Sequence, residues 1–330
     1  MIISADNVNL TGFTITGSGK EWRYVNPEKT SLRYDYCGII VSGKNNIISY
    51  NIIIDNGVGL KVKNVCLIVN NLIADNYDDG VCLSGDAHGT HIVNNIITSN
   101  GIDEEANQAD GIGVENVPSI EILNNTISEN QVDGIWSDTS DGMKIIGNTI
   151  YGNKNDGINL LEGSSCNISK NKIYNHITGG FFIQPFSSGI NLRRGRKNII
   201  SHNYIYDNNF GISYQVVMSD EIYQNSITDN TCGIWISTST LINIHDNDMR
   251  NNRLTIGLWC SNALEVHKNN LISSRTLVLF TWYSTSNFMN NYWGAPSPLF
   301  RTLRLPHRII TKTVLLRPAS FYEFIIDVDN

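Results

Sequence analysis

The sequence predicts an all-β solenoid of about eleven coils, one coil of short parallel strands per repeat, ending in a non-repeat C-terminal cap. Three observations predict it. An asparagine recurs at positions 51, 71, 95, 125, 148, 171, 203, 225, 247, 270 and 291, mostly 20 to 24 residues apart, with two gaps of 30 and 32. Two residues after it stands an isoleucine in nearly every coil, from Ile53, Ile73 and Ile97 to Ile227 and Ile272. A second asparagine follows five residues after the first in eight of the eleven coils, and a Gly-apolar pair such as Gly80-Val81, Gly111-Ile112 or Gly134-Ile135 then opens the next strand. The segments between these marks are short, β-branched and punctuated by Asn and Gly, which excludes helical repeats.

Each recurring element has a physical reason. Asparagine tolerates left-handed backbone, and its amide bonds to the same amide one rung away, so asparagines at corners are expected to stack into ladders. Isoleucines in register along a parallel sheet form a continuous apolar column. Glycine is expected to permit the tight bend before the next strand. The repeat runs through residues 1–294 as one elongated domain, about 50 Å long at about 4.8 Å per rung. Residues 295–330 lose the periodicity, carry four prolines and two partly alternating apolar runs, and are read as a cap over the last strand edge. Arg301, Arg304, Arg308, Lys312 and Arg317 make that tail locally basic, which reads as a solvated face.

Composition narrows the partners. The net charge is −7 and no basic stripe follows the repeats, so nucleic acid is excluded as the expected partner. No stretch is long and apolar enough to span a membrane. The opening "MIISADNVNL" has no basic, apolar leader and is already repeat-like. Either the start is trimmed or the uncapped N-terminal end is covered by another chain, which would make the protein an oligomer. Six cysteines are scattered without a Cys-x-x-Cys pair and read as reduced, mostly buried thiols.

Segments such as "IEILNNTISENQVDGIW" and "MKIIGNTIYGNKNDGINL", with "NNYWG" at Asn290 to Gly294, resemble the right-handed parallel β-helix superfamily of pectate-lyase-like and polygalacturonase-like proteins. Within it they are most similar to the short-repeat proteins grouped with the periplasmic copper-binding maturation factor of nitrous oxide reductase. The resemblance implies a right-handed parallel β-helix, an extracellular or cell-surface location, and a polysaccharide or oligosaccharide as partner. The fold itself carries lyases, hydrolases, epimerases, adhesins and non-catalytic binders, so function must be sought where the repeat is broken.

Three insertions, 17–36, 101–109 and 176–188, fall at one corner of the coil and would wall a groove over the Gly-apolar strands. The last, with Phe181, Phe182 and Phe186, is expected to fold over that face. Alternation along these strands puts Ile135, Ile158 and Ile190 inward and Trp136, Asn159 and Asn191 outward. Four consecutive coils carry Asp79, Asp110, Asp133 and Asp156 just before the glycine, and Glu115, Asp138, Glu162 and Arg193 follow on the same face. The resemblance places catalytic aspartates of polygalacturonase-like enzymes in such a position.

The catalytic candidates are Asp110, Asp133 and Asp156. Carboxylates on adjacent rungs lie about 5 Å apart and on alternate rungs about 10 Å, which brackets the retaining and inverting separations of glycoside hydrolysis. Asp133 and Asp156 would be acid and base or nucleophile, with Asp110 raising a neighbour's proton affinity by like-charge repulsion. Substrate would be held by Trp136, Asn159, Asn191, Arg193, Trp235, Glu115, Asp138 and Glu162, the exposed indoles stacking on sugar rings and Arg193 neutralising a uronate. No cofactor is called for. In a lyase variant the aspartates would hold Ca²⁺, and Arg193 or Tyr214 would be the base.

Two competing readings stay open. The aspartates occur where the turn is one residue longer, as Asx-turns would require. The same face could also serve a non-catalytic surface or structural repeat protein that binds glycans or partner proteins. His245 and His267 occupy equivalent outward positions on neighbouring coils, but two histidines do not define a metal site, and no metal is predicted.

Overall fold

The computed structural model describes residues 1–19, 36–102, 109–177, 187–272, 277–282, 284–292, 311–317 and 320–326. All regular structure there is β-strand, so no helix among the described residues is long and apolar enough to cross a membrane. Each coil visits three sheets in turn. The first sheet takes the Gly-apolar strands, the second the strands that lead to the ladder asparagine, and the third the strands that follow it. The molecule divides into two compact units, Met1–Asn159 and Leu160–Asn330.

In the first unit the strands pair in parallel, with a register shift between Leu83 and Asp86 where Val81–Asp86 meets Val58–Asn64. On the third sheet Ile53 lies opposite Ile73, Ile73 opposite Ile97, Ile97 opposite Ile127, and Ile127 opposite Ile150. All five are fully buried. The second unit repeats the pattern with Ile173, Ile205, Ile227 and Met249. Burying each such side chain stabilises the coil by about 1.5–3 kcal/mol. The second sheet of this unit continues past the last repeat. Thr311–Arg317 adds parallel to Ser286–Asn291, and Ser320–Ile326 turns back antiparallel against it.

The asparagine ladders form, with three differences from expectation. In the first unit Asn51 Nδ2 donates to Asn71 Oδ1 (3.1 Å), Asn71 to Asn95 (3.0 Å), Asn95 to Asn125 (3.1 Å) and Asn125 to Asn148 (3.0 Å). The same oxygens accept the backbone N–H of the preceding ladder asparagine, as Asn71 Oδ1 does from Asn51 N at 2.9 Å. The left-handed residue, however, is the one before the ladder asparagine: Tyr50, Asn70, Asn94 and Asn124 have φ of 56–57°, and Gly147 has 72°. The asparagine turns back into the corner because its neighbour, not itself, makes the bend.

The second difference is one of register. In the second unit the ladder runs Asn225, Asn247, Asn269, Asn291, so Asn269 rather than Asn270 is the corner residue. Asn270 lies on the third-sheet strand Asn270–Ile272, opposite Asp248, and Leu271 is the buried core residue in place of Ile272. With two adjacent asparagines only the inward position of the next apolar residue decides between them.

The third concerns glycine. Gly80, Gly111 and Gly134 have no left-handed φ. A Cβ on Gly111 would stand 2.7 Å from Asn130 Nδ2 and 2.7 Å from the Gly134 carbonyl oxygen of the next coil. These glycines are required by close approach between coils rather than by a bend.

Candidate functional site

In the first unit the four aspartates form one column, and the hydrogen bonds within it run between coils. Asp110 N–H donates to Asp79 Oδ1 (2.8 Å), Asp133 N–H to Asp110 Oδ1 (2.9 Å), and Asp156 N–H to Asp133 Oδ1 (2.8 Å). Asp133 also accepts Asn155 Nδ2 at Oδ1 and Asn159 Nδ2 at Oδ2, both at 2.8 Å. Asp110, Asp133 and Asp156 are buried, while Asp79 is half-buried.

Burial pushes the Asp110 carboxyl well above the usual carboxylate range, and the neighbouring Asp133 and Asp79 add to the rise; the Asp133 amide opposes it. Asp110 therefore holds its proton more tightly than an ordinary carboxyl, between two other carboxyl groups.

Beside the column runs the outward row of the first sheet: Lys61, Cys82, Gly113 and Trp136, paired in register. Gly113 leaves a notch in this row of side chains, although the residue is itself buried. A Cβ there would lie 3.0 Å from Asp79 Oδ2, so the carboxylate leans over bare backbone. Half-buried Trp136 borders the notch on the next rung. Glu115 is exposed and lies opposite half-buried Asp138, whose Oδ1 accepts the Thr139 hydroxyl at 2.8 Å. On the other side Lys61 is buried, and burial lowers the proton affinity of its amine. Neither Asp79 nor Lys61 stood among the sequence-derived site residues. The signal available for Asp79 was a glycine at an outward position where the neighbouring rungs carry Cys82 and Trp136.

In the second unit the same corner column is Ser188, Phe210, Cys232 and Leu254. Trp235, expected as an exposed indole, packs on it. Its ring meets Phe210 edge to face (6.3 Å, 68°), contacts Cys232 and Leu254, and fills the space over Gly257, where a Cβ would collide with it. Asn191 is buried, Arg193 is exposed opposite Gln215, and exposed Glu162 pairs with Arg194 (3.1 Å) rather than Arg193. Tyr214 is corrected as a base candidate. It points inward between Leu192 and Ile236, fully buried, and burial followed by the Asp220 charge raises its phenol well above its usual range.

His245 and His267 stack in parallel (5.2 Å, 4°), with Tyr223 on the other side of His245 (5.3 Å, 3°). His245 holds Asp246 Oδ2 at 2.8 Å and Glu221 Oε1 at 2.9 Å. Among the described residues no three His, Cys, Asp or Glu side chains converge on a metal position. Asp110 Oδ1 and Asp133 Oδ1 already accept amides. Of the insertions 17–36, 101–109 and 176–188, expected to wall the groove, residues 20–35, 103–108 and 178–186 lie outside the described residues.

No curated protein matches the chain. Solved structures do. The chain aligns with the periplasmic alginate epimerase AlgG over 83% of its length and 76% of that chain, at 15% identity and a TM-score of 0.50. It aligns with the GH136 lacto-N-biosidase from Eubacterium ramulus over 83% and 61%, at 10% identity and 0.57. With the DFA-IIIase from Arthrobacter chlorophenolicus A6, solved without its lid in complex with GF2, the figures are 88%, 79%, 12% and 0.50. At such identities the likeness is one of fold. A family model described as "Right handed beta helix region" matches residues 104–190 and 133–292, more than half of the chain, and to that family the chain belongs.

Proposed function

We propose that the protein acts on carbohydrate, and that it cleaves a glycosidic bond at the Gly113 notch of the first unit. The observation that carries this reading is the raised Asp110 carboxyl, a proton donor beside a second carboxyl, Asp79, that leans over backbone without a side chain. Asp110 would protonate the leaving oxygen while Asp79 acts as nucleophile or base. Adjacent rungs separate them by about 4.8 Å, close to the retaining arrangement of about 5–5.5 Å. Asp133, whose oxygens already hold the Asp156 amide, Asn155 and Asn159, is a positioning residue. Trp136 would stack on the sugar next to the notch. The similar structures include an alginate epimerase and a lacto-N-biosidase, in agreement with a carbohydrate-acting β-helix. Of the two base candidates for lyase chemistry, Tyr214 is buried inside the coil, which leaves exposed Arg193.

A second reading, a non-catalytic glycan binder, is favoured by the burial of Asp110, Asp133 and Asp156 and by the use of Asp79, Asp110 and Asp133 as acceptors for the next coil's amides. The test is a panel of plant, algal and bacterial polysaccharides, followed by reducing ends and by the absorbance of unsaturated uronates. Cleavage is expected to release reducing ends, and Asp79→Asn and Asp110→Asn to lower turnover at least 100-fold with the circular dichroism unchanged. Binding without turnover, lost in Trp136→Ala by affinity electrophoresis, selects the second reading. Neither turnover nor binding would sink both.

A further inference from the structure

Carboxyl groups flank the Gly113 notch on both sides. On the corner side Asp79 leans over the glycine, with Asp110, Asp133 and Asp156 on the following rungs. On the other side, two residues further along the strands Ile112–Glu115 and Ile135–Asp138, Glu115 is exposed and Asp138 half-buried. These two lie directly opposite one another, and like charges so placed destabilise a sheet. Among the described residues no Lys, Arg or His forms an ion pair with either. Lys61 and Lys63 stand on Val58–Asn64, two rungs and about 10 Å from Gly113, and Lys61 is buried. Arg193, expected from the sequence to neutralise a uronate, belongs to the second unit.

We propose that Glu115 and Asp138 set the specificity of the notch and restrict it to glycans without carboxylate or sulfate groups, a step that rests on the notch being the glycan site. A sugar ring over Gly113 that stacks on Trp136 lies two residues, about 7 Å, from each carboxylate. A like charge at about 7 Å in water lowers affinity about threefold at low salt, so the two together weaken an acidic sugar by close to tenfold. Asp79 on the corner side adds to the exclusion.

Hydrogen bonding selects in the same direction. Ionised carboxylates are acceptors only, so they suit the hydroxyl donors of an uncharged ring. A sugar carboxylate or sulfate, itself an acceptor, would face them with nothing to donate.

The experiment compares polymers that share a backbone and differ in charge: a polyuronate against its carboxyl-reduced form, and a neutral glucan against its C6-oxidised form. Turnover is read by reducing ends and binding by affinity electrophoresis, at low and high salt. The uncharged member of a pair is expected to be cleaved or bound about fivefold better or more at low salt, with the gap narrowing at high salt. Glu115→Gln combined with Asp138→Asn should raise the acidic-to-neutral ratio of kcat/KM, or of affinity, by about fivefold or more. Its melting temperature should not fall, because a like-charge pair is relieved. Glu121→Gln, on the second sheet, changes the net charge equally for one residue and should leave the ratio where it was. Should the double variant fail to fold, Glu115→Gln alone, at an exposed position, is expected to raise the ratio about twofold to threefold. An acidic polymer used as well as its uncharged form, or a ratio unmoved by these substitutions, overturns the specificity while the notch stands. Polymers of both kinds neither cleaved nor bound would remove the notch as a glycan site, and the specificity with it. Binding without turnover, with the same preference for the uncharged member, supports the specificity in a binder.

Discussion

Two buried aspartates have proton affinities that run against their usual role as anions. Asp220 stands one coil after Asn198 in a corner column of the second unit, where it accepts Asn198 N at 2.9 Å and Asn198 Nδ2 at 3.1 Å. Burial raises its carboxyl from 3.8 to about 6, against the lowering effect of those bonds. A carboxyl that holds its proton more tightly folded than unfolded makes the fold most stable below the unfolded value. That stability is lost as pH rises from about 4 to about 6 and is level above. A shift of this size corresponds to about 3 kcal/mol at most. Asp220→Asn is therefore expected to remove this pH dependence and to raise the denaturant midpoint at pH 7, as urea unfolding of both chains from pH 4 to 8 would reveal. Asp110 has the same sign. Asp110→Asn should leave the fold at least as stable at neutral pH while abolishing turnover, the trade-off of a site held in an unfavourable state. Lower stability together with unchanged turnover would make Asp110 structural.

At the scale of the element, a ladder asparagine bonds one coil directly to the next. Asn95 accepts two bonds from Asn71 and donates to Asn125 and to the Ile68 carbonyl. Asn95→Ala would leave buried donors unpaired and is expected to cost about 2–4 kcal/mol. Adjacent asparagines of the second unit provide an internal check by thermal melts. Asn269→Ala should cost a similar amount, whereas Asn270→Ala, whose amide only meets Asp248 Oδ1 at 2.7 Å on a half-buried surface, should cost less than about 1 kcal/mol. Equal losses would return the corner to Asn270. The two glycines of one strand separate structure from site in the same way. Gly111→Ala drives a methyl against the next coil's backbone and should destabilise the fold. Gly113→Ala displaces only the Asp79 carboxylate, and its main effect should be on ligand binding or turnover.

At the scale of the whole molecule, the cysteines show how the coil shields its interior. Cys37, Cys66, Cys166 and Cys232 are buried, Cys82 and Cys260 are half-buried, and none is in a disulfide. Burial pushes the Cys66 thiol up to about 12 and the Cys37 thiol up to about 11, so the reactive thiolate is suppressed as well as covered. Native protein should leave Cys66, Cys166 and Cys232 unlabelled by a thiol reagent at neutral pH, with all six modified in denaturant. Rapid native labelling of Cys66, located by mass spectrometry, would contradict the parallel packing around it.

The sequence by itself determined the all-β repeat, the two asparagine columns, the inward isoleucines and the acidic column at Asp79, Asp110, Asp133 and Asp156. These were legible because a coil stacked on its own copy turns each structural requirement into a period along the chain. Tertiary structure decided what the period cannot carry. A column of aspartates reads the same whether its carboxylates face solvent or accept the next coil's amides, and only the three-dimensional register shows that Asp110 is buried between two carboxyl groups. Gly113 and Gly257 look alike in the sequence, yet Asp79 leans over one and Trp235 fills the space above the other. The alternation of a strand tells which way Trp235 points, but not that Phe210, Cys232 and Leu254 from three other positions meet it there. Side-chain direction is a local property of the backbone, whereas burial and proton affinity are set by neighbours one coil away, 20 or more residues distant in the chain.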